Sequence, residues 1–309
     1  MKKLSSSLLL VAIGSWAMAQ TPMVAPPEPL DPAIDEGEKA ITLLDNFLSD
    51  KGWSEGIVQV GKKKIIIKKG VGQIAAPPTH SSYIDSRRLA FDKAMLEAKA
   101  KMANFLEQEI AIAVERKYSD NDSSHTPTPQ EEIADAMAAM PSESICGKAI
   151  RLLDAKLDNA LKAEGVDFAA EKQAGGERLQ AAINKAKKLC GSGSFKKTIS
   201  SSATCCVSGL QAYYVIESQR SGKQGEIGVI AMWSPALSAM ADSLVTGKAV
   251  PVKAAKRPIR EQIPKDKNVL LSTFGVQQKI DENGQLVLVA YGQAGARSKS
   301  GMASNAAYA

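Results

Sequence analysis

The chain has 309 residues, a formal net charge of +6 at pH 7 and an aromatic content of 5%. This length is enough for two ordinary domains, each with its own core. The mild positive charge is compatible with contact to an anionic lipid, glycan or polymer but is no argument for such contact, and no nucleic-acid partner is expected. The scarcity of aromatic residues disfavours an aromatic-lined carbohydrate or nucleobase platform and favours tightly packed, alanine-rich helices.

The first nineteen residues have the pattern of a secretory signal peptide. Lys2 and Lys3 precede an uncharged run, and Ala17-Met18-Ala19 forms an A-x-A cleavage site before Gln20. The apolar run is shorter than the roughly 20 residues that a membrane-spanning helix needs, so a retained anchor is the weaker alternative. We therefore expect a bacterial periplasmic or secreted protein, without a transmembrane segment in its mature chain.

The four cysteines are Cys146, Cys190, Cys205 and Cys206. In an oxidising compartment their even number predicts two disulfides. Neighbouring cysteines rarely reach disulfide geometry with each other, so Cys205 and Cys206 are expected to pair with Cys146 and Cys190, in an order that stays open. Such bridges would tie a helical insertion to the sheet. A metal site is the rival interpretation, but no C-x-x-C spacing occurs and neither histidine is near a cysteine in sequence.

The first half of the chain alternates between strand and helix patterns. After a proline-rich leader, a short amphipathic helix ended by Gly52 is predicted, with Ile41, Leu44, Phe47 and Leu48 spaced to share one face. Runs at 56–60 and 65–75 flank Gly61 and predict a hairpin. A long helix is then predicted from Ser82, where Asp85 would complete a capping box, to about Tyr118. Its stripe of Ala90, Ala94, Ala98, Met102 and Phe105 would let it lie close against a sheet.

The second half begins with a predicted helical block and returns to strands. The expected helices are 130–140, 143–164, 177–190 and 235–245, and the expected strands are 207–217, 226–233, 269–277 and 286–291. The glycine- and serine-rich stretch 191–194 is interpreted as a flexible linker, and Asp281 to Gly284 as a hairpin turn. Gly292-Gln293 before 304–308 repeats the order of Gly72-Gln73 before 86–91, so a second α/β unit is expected, and it is expected to be incomplete.

These patterns predict an α+β fold, with a small sheet packed on a long alanine-rich helix. The expected divisions are a signal peptide (1–19), a leader and short helix (20–50), an α+β domain (51–246) with a helical insertion (126–191), a linker (247–267) and the second unit (268–309).

The densest basic cluster contains Lys62, Lys63, Lys64, Lys68 and Lys69. Five ammonium groups could contact an anionic envelope surface or ligand. The alternative, which we prefer, is that they flank the aggregation-prone segment 65–67 and protect a sheet edge. The preceding residues 56–62 match the start of a phosphate-binding loop, but Lys63 stands where that motif has Ser or Thr, so a strand is expected there.

The sequence provides no catalytic, cofactor or metal motif. His80 and His125 are in Pro/Ser/Thr-rich stretches. A general base needs a fixed position, so both histidines are expected to be solvent-exposed and not catalytic. Glu97, Glu107 and Glu109 are interpreted as solvated carboxylates that pair with lysines along the long helix.

Gly70-Val71-Gly72-Gln73, followed by 86–95 and 97–100, resembles the signature of small secreted outer-membrane lipoprotein domains. It is similar also to the N-terminal domain of flagellar assembly protein T. The resemblance covers 56–118 and, more loosely, 203–234, and implies a non-catalytic α+β domain of envelope proteins. This chain departs from the pattern because it lacks a lipobox cysteine and contains the insertion.

We therefore expect an exported, non-catalytic structural or interaction protein whose partner is another envelope protein. The alternatives are a binder of anionic envelope surfaces through 62–69 and a hydrolase with an unrecognised site.

Overall fold

The computed structural model describes residue 30 and residues 33–35, 37–61, 63–118, 128–140, 144–219, 224–247 and 252–293. The strands are β1 (Ala33–Asp35), β2 (Gly56–Val60), β3 (Lys63–Gln73), β4 (Gln211–Ser218), β5 (Glu226–Trp233), β6 (Gly275–Ile280) and β7 (Leu286–Tyr291). The helices are α1 (Ala40–Asp50), α2 (Tyr83–Lys117), α3 (Pro129–Ala138), α4 (Ile145–Ala163), α5 (Phe168–Ala174), α6 (Gly176–Cys190), α7 (Gly193–Cys206), α8 (Pro235–Thr246), α9 (Ile259–Gln262) and α10 (Lys267–Ser272). The chain is α+β, as the sequence predicts. The predicted signal peptide, Lys62, His125 and residues 304–308 lie outside the described residues.

Five strands form one sheet in the order β1-β4-β5-β3-β2. The predicted hairpin of β2 and β3 is confirmed, with Gly56 opposite Ile67 and a positive φ of 62° at Gly61. β1 pairs in parallel with β4, and α1 buries Leu44 and Leu48 beside the sheet. The sheet and its covering layer therefore include part of segment 20–50, which was predicted to lie outside the α+β domain.

The first half of α2 lies directly on β3. Ala90, Ala94 and Ala98 are fully buried, and a Cβ atom added to Gly70 or Gly72 would come within 1.9 Å of the carbonyl oxygen of Ala94 or Ala90, respectively. No side chain fits in that space. The predicted alanine stripe is thus confirmed, and Gly70 and Gly72 of β3 are the residues against which it packs.

Two predicted details of α2 are wrong. The buried stripe continues from Met102 through Leu106, while Phe105 is only half-buried. The capping box is not formed, because Ser82 has φ −92° and ψ 12° and makes no side-chain cap. Its hydroxyl lies 2.7 Å from Nδ1 of His80 instead.

Helices α3 to α7 pack around the second half of α2 and share its core, which includes Leu106, Ile110 and Val114. The flexible linker predicted at 191–194 is wrong, since Ser192 caps α7 by accepting a hydrogen bond from the backbone N–H of Phe195 at 3.4 Å. α7 buries Phe195, Ile199, Ala203 and Cys206, so the helical block extends beyond residue 191 and β4 starts later than predicted.

β6 and β7 form a separate two-stranded sheet, and the hairpin turn predicted at 281–284 is present. The strand predicted from residue 269 is wrong over its first residues, because α10 occupies 267–272. Residues predicted as a linker pack against this hairpin. The side-chain amide of Gln262, which is buried, donates to the carbonyl oxygen of Ile280 at 2.8 Å.

Candidate functional site

The lysine cluster is divided between the two faces of the sheet. β3 is an inner strand, paired with β2 and β5, so the prediction that its lysines protect a sheet edge is wrong. Lys64 forms an ion pair with Glu132 of α3, while Lys69, on the opposite face, pairs with Asp45 of α1. Lys62 and the side chain of Lys63 lie outside the described residues.

Lys68 lies on the same face as Lys64, with its ammonium nitrogen 4.5 Å from the ring centroid of Phe105. Burial lowers its pKa. The three lysines whose side chains are described are therefore held by partners within the fold and do not form one continuous cationic surface.

One of the two predicted disulfides is present. Cys146 and Cys206 are bonded and fully buried, and they join the start of α4 to the end of α7. The bridge therefore connects two helices of the insertion, and the predicted tie between insertion and sheet is wrong. Cys190 and Cys205 are free thiols. Gly193 and Cys205 are twelve positions apart in one helix, a rise of about 18 Å at 1.5 Å per residue, and Cys190 lies only three residues before Gly193. The two thiols are therefore too far apart for a bond.

A cluster of hydrogen-bonded polar side chains, Asp242, Ser208 and Ser238, lies near the start of α4. The buried carboxylate of Asp242 accepts from the backbone N–H of Ile145 at 2.8 Å and from the hydroxyl of Ser208 at 3.3 Å. The hydroxyls of Ser208 and Ser238 are 2.9 Å apart. Asp242 thereby fixes α8 to the first turn of α4, where a negative charge is favoured by the helix dipole. The cluster contains serine and aspartate, but the hydrogen bonds of the carboxylate are those of a helix cap.

A second buried network joins α2, β4 and the end of the described chain. The guanidinium of Arg87 donates to Oε2 of Glu217 at 2.9 Å from Nε, and to Gln293 at 3.3 Å. Tyr83 donates its hydroxyl proton to the other oxygen of Glu217 at 2.8 Å. Burial and this hydrogen bond raise the pKa of Tyr83, so its hydroxyl stays protonated. Because both carboxylate oxygens are bonded, the network holds the elements together.

A polar groove lies between α2 on one side and α6 and α7 on the other. Its volume is about 690 Å³. α2 contributes two carboxylates, Glu107 and Glu115, and the opposite wall contributes two ammonium groups, Lys187 and Lys196. None of these four charges forms an ion pair with another described residue. The remaining lining is Asn104, Gln108, Ala111, Cys190, Gly191 and Ile199.

The free thiol of Cys190 faces this groove. Burial, with a smaller contribution from the nearby carboxylate of Glu115, raises its pKa to about 11. The thiolate is the nucleophilic form of cysteine, so this side chain is protonated and unreactive near neutral pH. The groove is therefore lined by charges of both signs and by a protonated thiol.

Glu109 contradicts the expectation of a solvated carboxylate. It is 2% exposed, and its Oε2 atom has no hydrogen-bond partner among the described residues. Burial raises its pKa to about 7. A helical period of 3.6 residues places Glu109 next to Leu106 and Ile110 on the buried face of α2. The burial of Glu109 could therefore have been predicted from its position within the apolar stripe. Glu97, by contrast, pairs with Lys101 as predicted, at 2.7 Å.

The remaining predictions concern His80, metal-ligand clusters and membrane-spanning helices. His80 is exposed and bonded to Ser82 in its own loop. In the part of the chain that the structure describes, no group of three or more His, Cys, Asp or Glu side chains is placed to hold a metal ion. Over the same residues, no helix has both the length and the apolar character needed to cross a bilayer.

Residues 142–246 match a family model described as a domain of unknown function (DUF6844). The matched region contains the disulfide, the Asp242 cluster and the α6–α7 wall of the groove. No curated protein matches the chain. The crystal structure of a hypothetical protein from Francisella tularensis is similar at 16% identity with a TM-score of 0.43. The likeness covers 81% of this chain and 58% of that one, so this chain spans less than two thirds of the length of that protein.

The cysteine arrangement predicts that two thiols per chain react with maleimide under denaturing, non-reducing conditions. Replacing Cys146 by Ser should lower the free energy of unfolding by about 4 kcal/mol, because the bridge closes a loop with a sequence separation of 60 residues. Urea unfolding measures this change. Cys205→Ser is the matched control and should leave the unfolding midpoint unchanged. Labelling of four thiols, or equal effects of the two substitutions, would contradict the assignment.

The raised pKa of Glu109 predicts that stability falls as the pH rises. In the unfolded chain this carboxyl loses its proton near pH 4.5, whereas in the fold it keeps the proton until about pH 7. The fold should therefore lose up to about 3 kcal/mol between these pH values, and Glu109→Gln should remove that loss. Urea midpoints from pH 4 to 8 test this, with Glu107→Gln as control. A pH profile that Glu109→Gln leaves unchanged would rule out the assignment.

Proposed function

We propose that this chain is an exported, non-catalytic interaction protein of the cell envelope, and that the groove between α2 and the α6–α7 pair binds a segment of its partner. The single observation that carries the proposal is that one wall has two carboxylates and the other has two ammonium groups, none of which forms an ion pair with a described residue. Solvated charges at a groove favour association with complementary charges and suppress wrong partners.

The groove's charges indicate the class of ligand. A partner that carried only one sign of charge would be repelled by one of the two walls. A peptide segment with both acidic and basic side chains satisfies both Glu107 and Glu115, and Lys187 and Lys196. The groove volume of about 690 Å³ is within the range of about 300–1,000 Å³ that is typical of ligand-binding pockets.

The state of the polar groups supports binding rather than bond-making. The thiol of Cys190 is protonated at neutral pH, and the buried carboxylates of Glu217 and Asp242 accept hydrogen bonds from fixed partners. Neither Glu217 nor Asp242 is therefore free to take a proton from a substrate, as a catalytic base must be.

Export is supported by the signal-peptide pattern of the sequence together with the buried disulfide. Structural disulfides form and persist mainly in oxidising compartments such as the bacterial periplasm. The competing function, an anionic-surface binder built on 62–69, gains no support from Lys64, Lys68 and Lys69, which are directed to opposite faces of the sheet and have partners there.

The proposal predicts a charge-dependent contact at the groove in intact cells. A photo-crosslinking amino acid at Gln108, which is exposed at the groove, should give a discrete adduct with one envelope protein. Lys187→Glu combined with Lys196→Glu should reduce its yield by about tenfold, since like charges in contact are unfavourable.

Lys148→Glu combined with Lys156→Glu is the matched control, because both lysines are exposed on α4 and away from the groove lining. This control should leave the adduct unchanged. The proposal fails if no adduct forms, if both double variants reduce it equally, or if the adduct is confined to the cytoplasmic fraction.

A further inference from the structure

The first half of α2 has an exposed stripe on the side of the helix that faces away from the sheet. Its members are spaced by four, three, four and three positions, which places them on one helix face. They are Asp85, Leu89, Asp92, Leu96 and Lys99, and all five are exposed. Leu89 and Leu96 are 52% and 69% exposed. Large apolar residues seven positions apart on one face have the spacing of a helix–helix contact.

The charges of this stripe have no partner within the fold. Asp85, Asp92 and Lys99 form no ion pair with another described residue, and neither does Lys93, which follows Asp92. On the neighbouring side of the same helix, by contrast, Glu97 pairs with Lys101 at 2.7 Å. The charges of the exposed stripe are therefore available to a second molecule.

The order of the side chains makes the stripe complementary to itself. Leu89 and Leu96 are equally distant from the point midway between residues 92 and 93, the acidic Asp85 lies near one end and the basic Lys99 near the other. An antiparallel second copy would place Leu89 opposite Leu96 and Asp85 beside Lys99, twice in each pair of chains. A parallel copy would place Asp85 beside Asp85. Self-complementarity in the antiparallel direction is what a two-fold symmetric contact requires.

The length of the open stretch fits the same arrangement. α2 begins at Tyr83, and at Ala103 the face is partly buried against the helical block. The stretch between them, 85–100, has its midpoint between residues 92 and 93, so two antiparallel copies overlap along all of it. This overlap is about 22 Å at 1.5 Å per residue.

We propose that the chain forms a two-fold symmetric dimer in which the exposed stripe of α2 packs antiparallel on the stripe of a second copy. One short helix from each chain makes a small interface, so the dimer is reversible, with a dissociation constant on the order of micromolar. The stripe ends before the groove begins at Asn104, so this contact does not depend on the groove.

Charge reversal tests the complementarity. Sedimentation velocity of the purified protein, from about 1 to 200 µM, should show a monomer–dimer equilibrium. Asp85→Lys alone or Lys99→Asp alone should weaken it about tenfold, because each substitution puts like charges together at both ends of the contact. The two substitutions in one chain should restore it, since each pair then re-forms with its charges exchanged. Lys156→Asp, at an exposed lysine of α4, should dimerise as the parent protein does.

Disulfide crosslinking tests the direction, in a Cys190→Ser, Cys205→Ser background that keeps the buried disulfide. A mixture of Leu89→Cys and Leu96→Cys chains should crosslink on air oxidation faster than either chain alone, because an antiparallel copy separates identical positions by about 10 Å along the helix. Leu152→Cys, at an exposed leucine of α4, should not crosslink.

Three results would overturn the proposal. The protein could remain monomeric over the whole concentration range. The double charge reversal could dimerise no better than the single ones, or Lys156→Asp could weaken the dimer as much as they do. Leu89→Cys alone could crosslink as fast as the mixture, which would indicate a parallel contact.

Discussion

The close contact between α2 and β3 determines the rest of the architecture. Because Gly70 and Gly72 have no side chains, the helix backbone lies against the strand, and its first half is fixed on the sheet. The second half of the 35-residue helix then extends beyond these glycines and provides the surface on which α3 to α7 pack. One wall of the charged groove belongs to that same extension. The position of the candidate binding site therefore follows from two glycines in a strand that is distant from it.

Local patterns predicted most of the elements, because amphipathic period and turn residues act over a few neighbours. β2, β5 and β7 begin and end where the sequence indicates, and the alanine stripe of α2 predicted a helix lying on a sheet. α7 was missed because its glycine and serine residues resemble a linker, although Phe195, Ile199 and Ala203 at four-residue spacing indicate a helix. Ser192, which was predicted to be part of a flexible linker, is the N-cap residue of α7.

The site could not be predicted in the same way, because its residues come from separate elements. The groove brings together α2 with two helices that lie more than seventy residues later in the chain. Lys64 and Lys69 look like one cluster in the sequence, but the alternation of a strand places them on opposite faces. The partner of Cys146 depends on whether Cys206 or Cys205 points inward on α7, and only the packing of that helix decides this. Cys206 is buried, while Cys205 is exposed.

The most direct measurement of the central contact compares two glycine-to-alanine substitutions, one at the helix–strand contact and one where an added methyl group meets no neighbouring atom. Gly70→Ala places a methyl group 1.9 Å from the carbonyl oxygen of Ala94 and should lower the free energy of unfolding by about 3 kcal/mol. Gly292→Ala adds the same methyl group in open space and should change stability by less than about 0.5 kcal/mol. Urea unfolding of both variants gives the two values. Similar values would mean that α2 does not rest on β3 through these glycines.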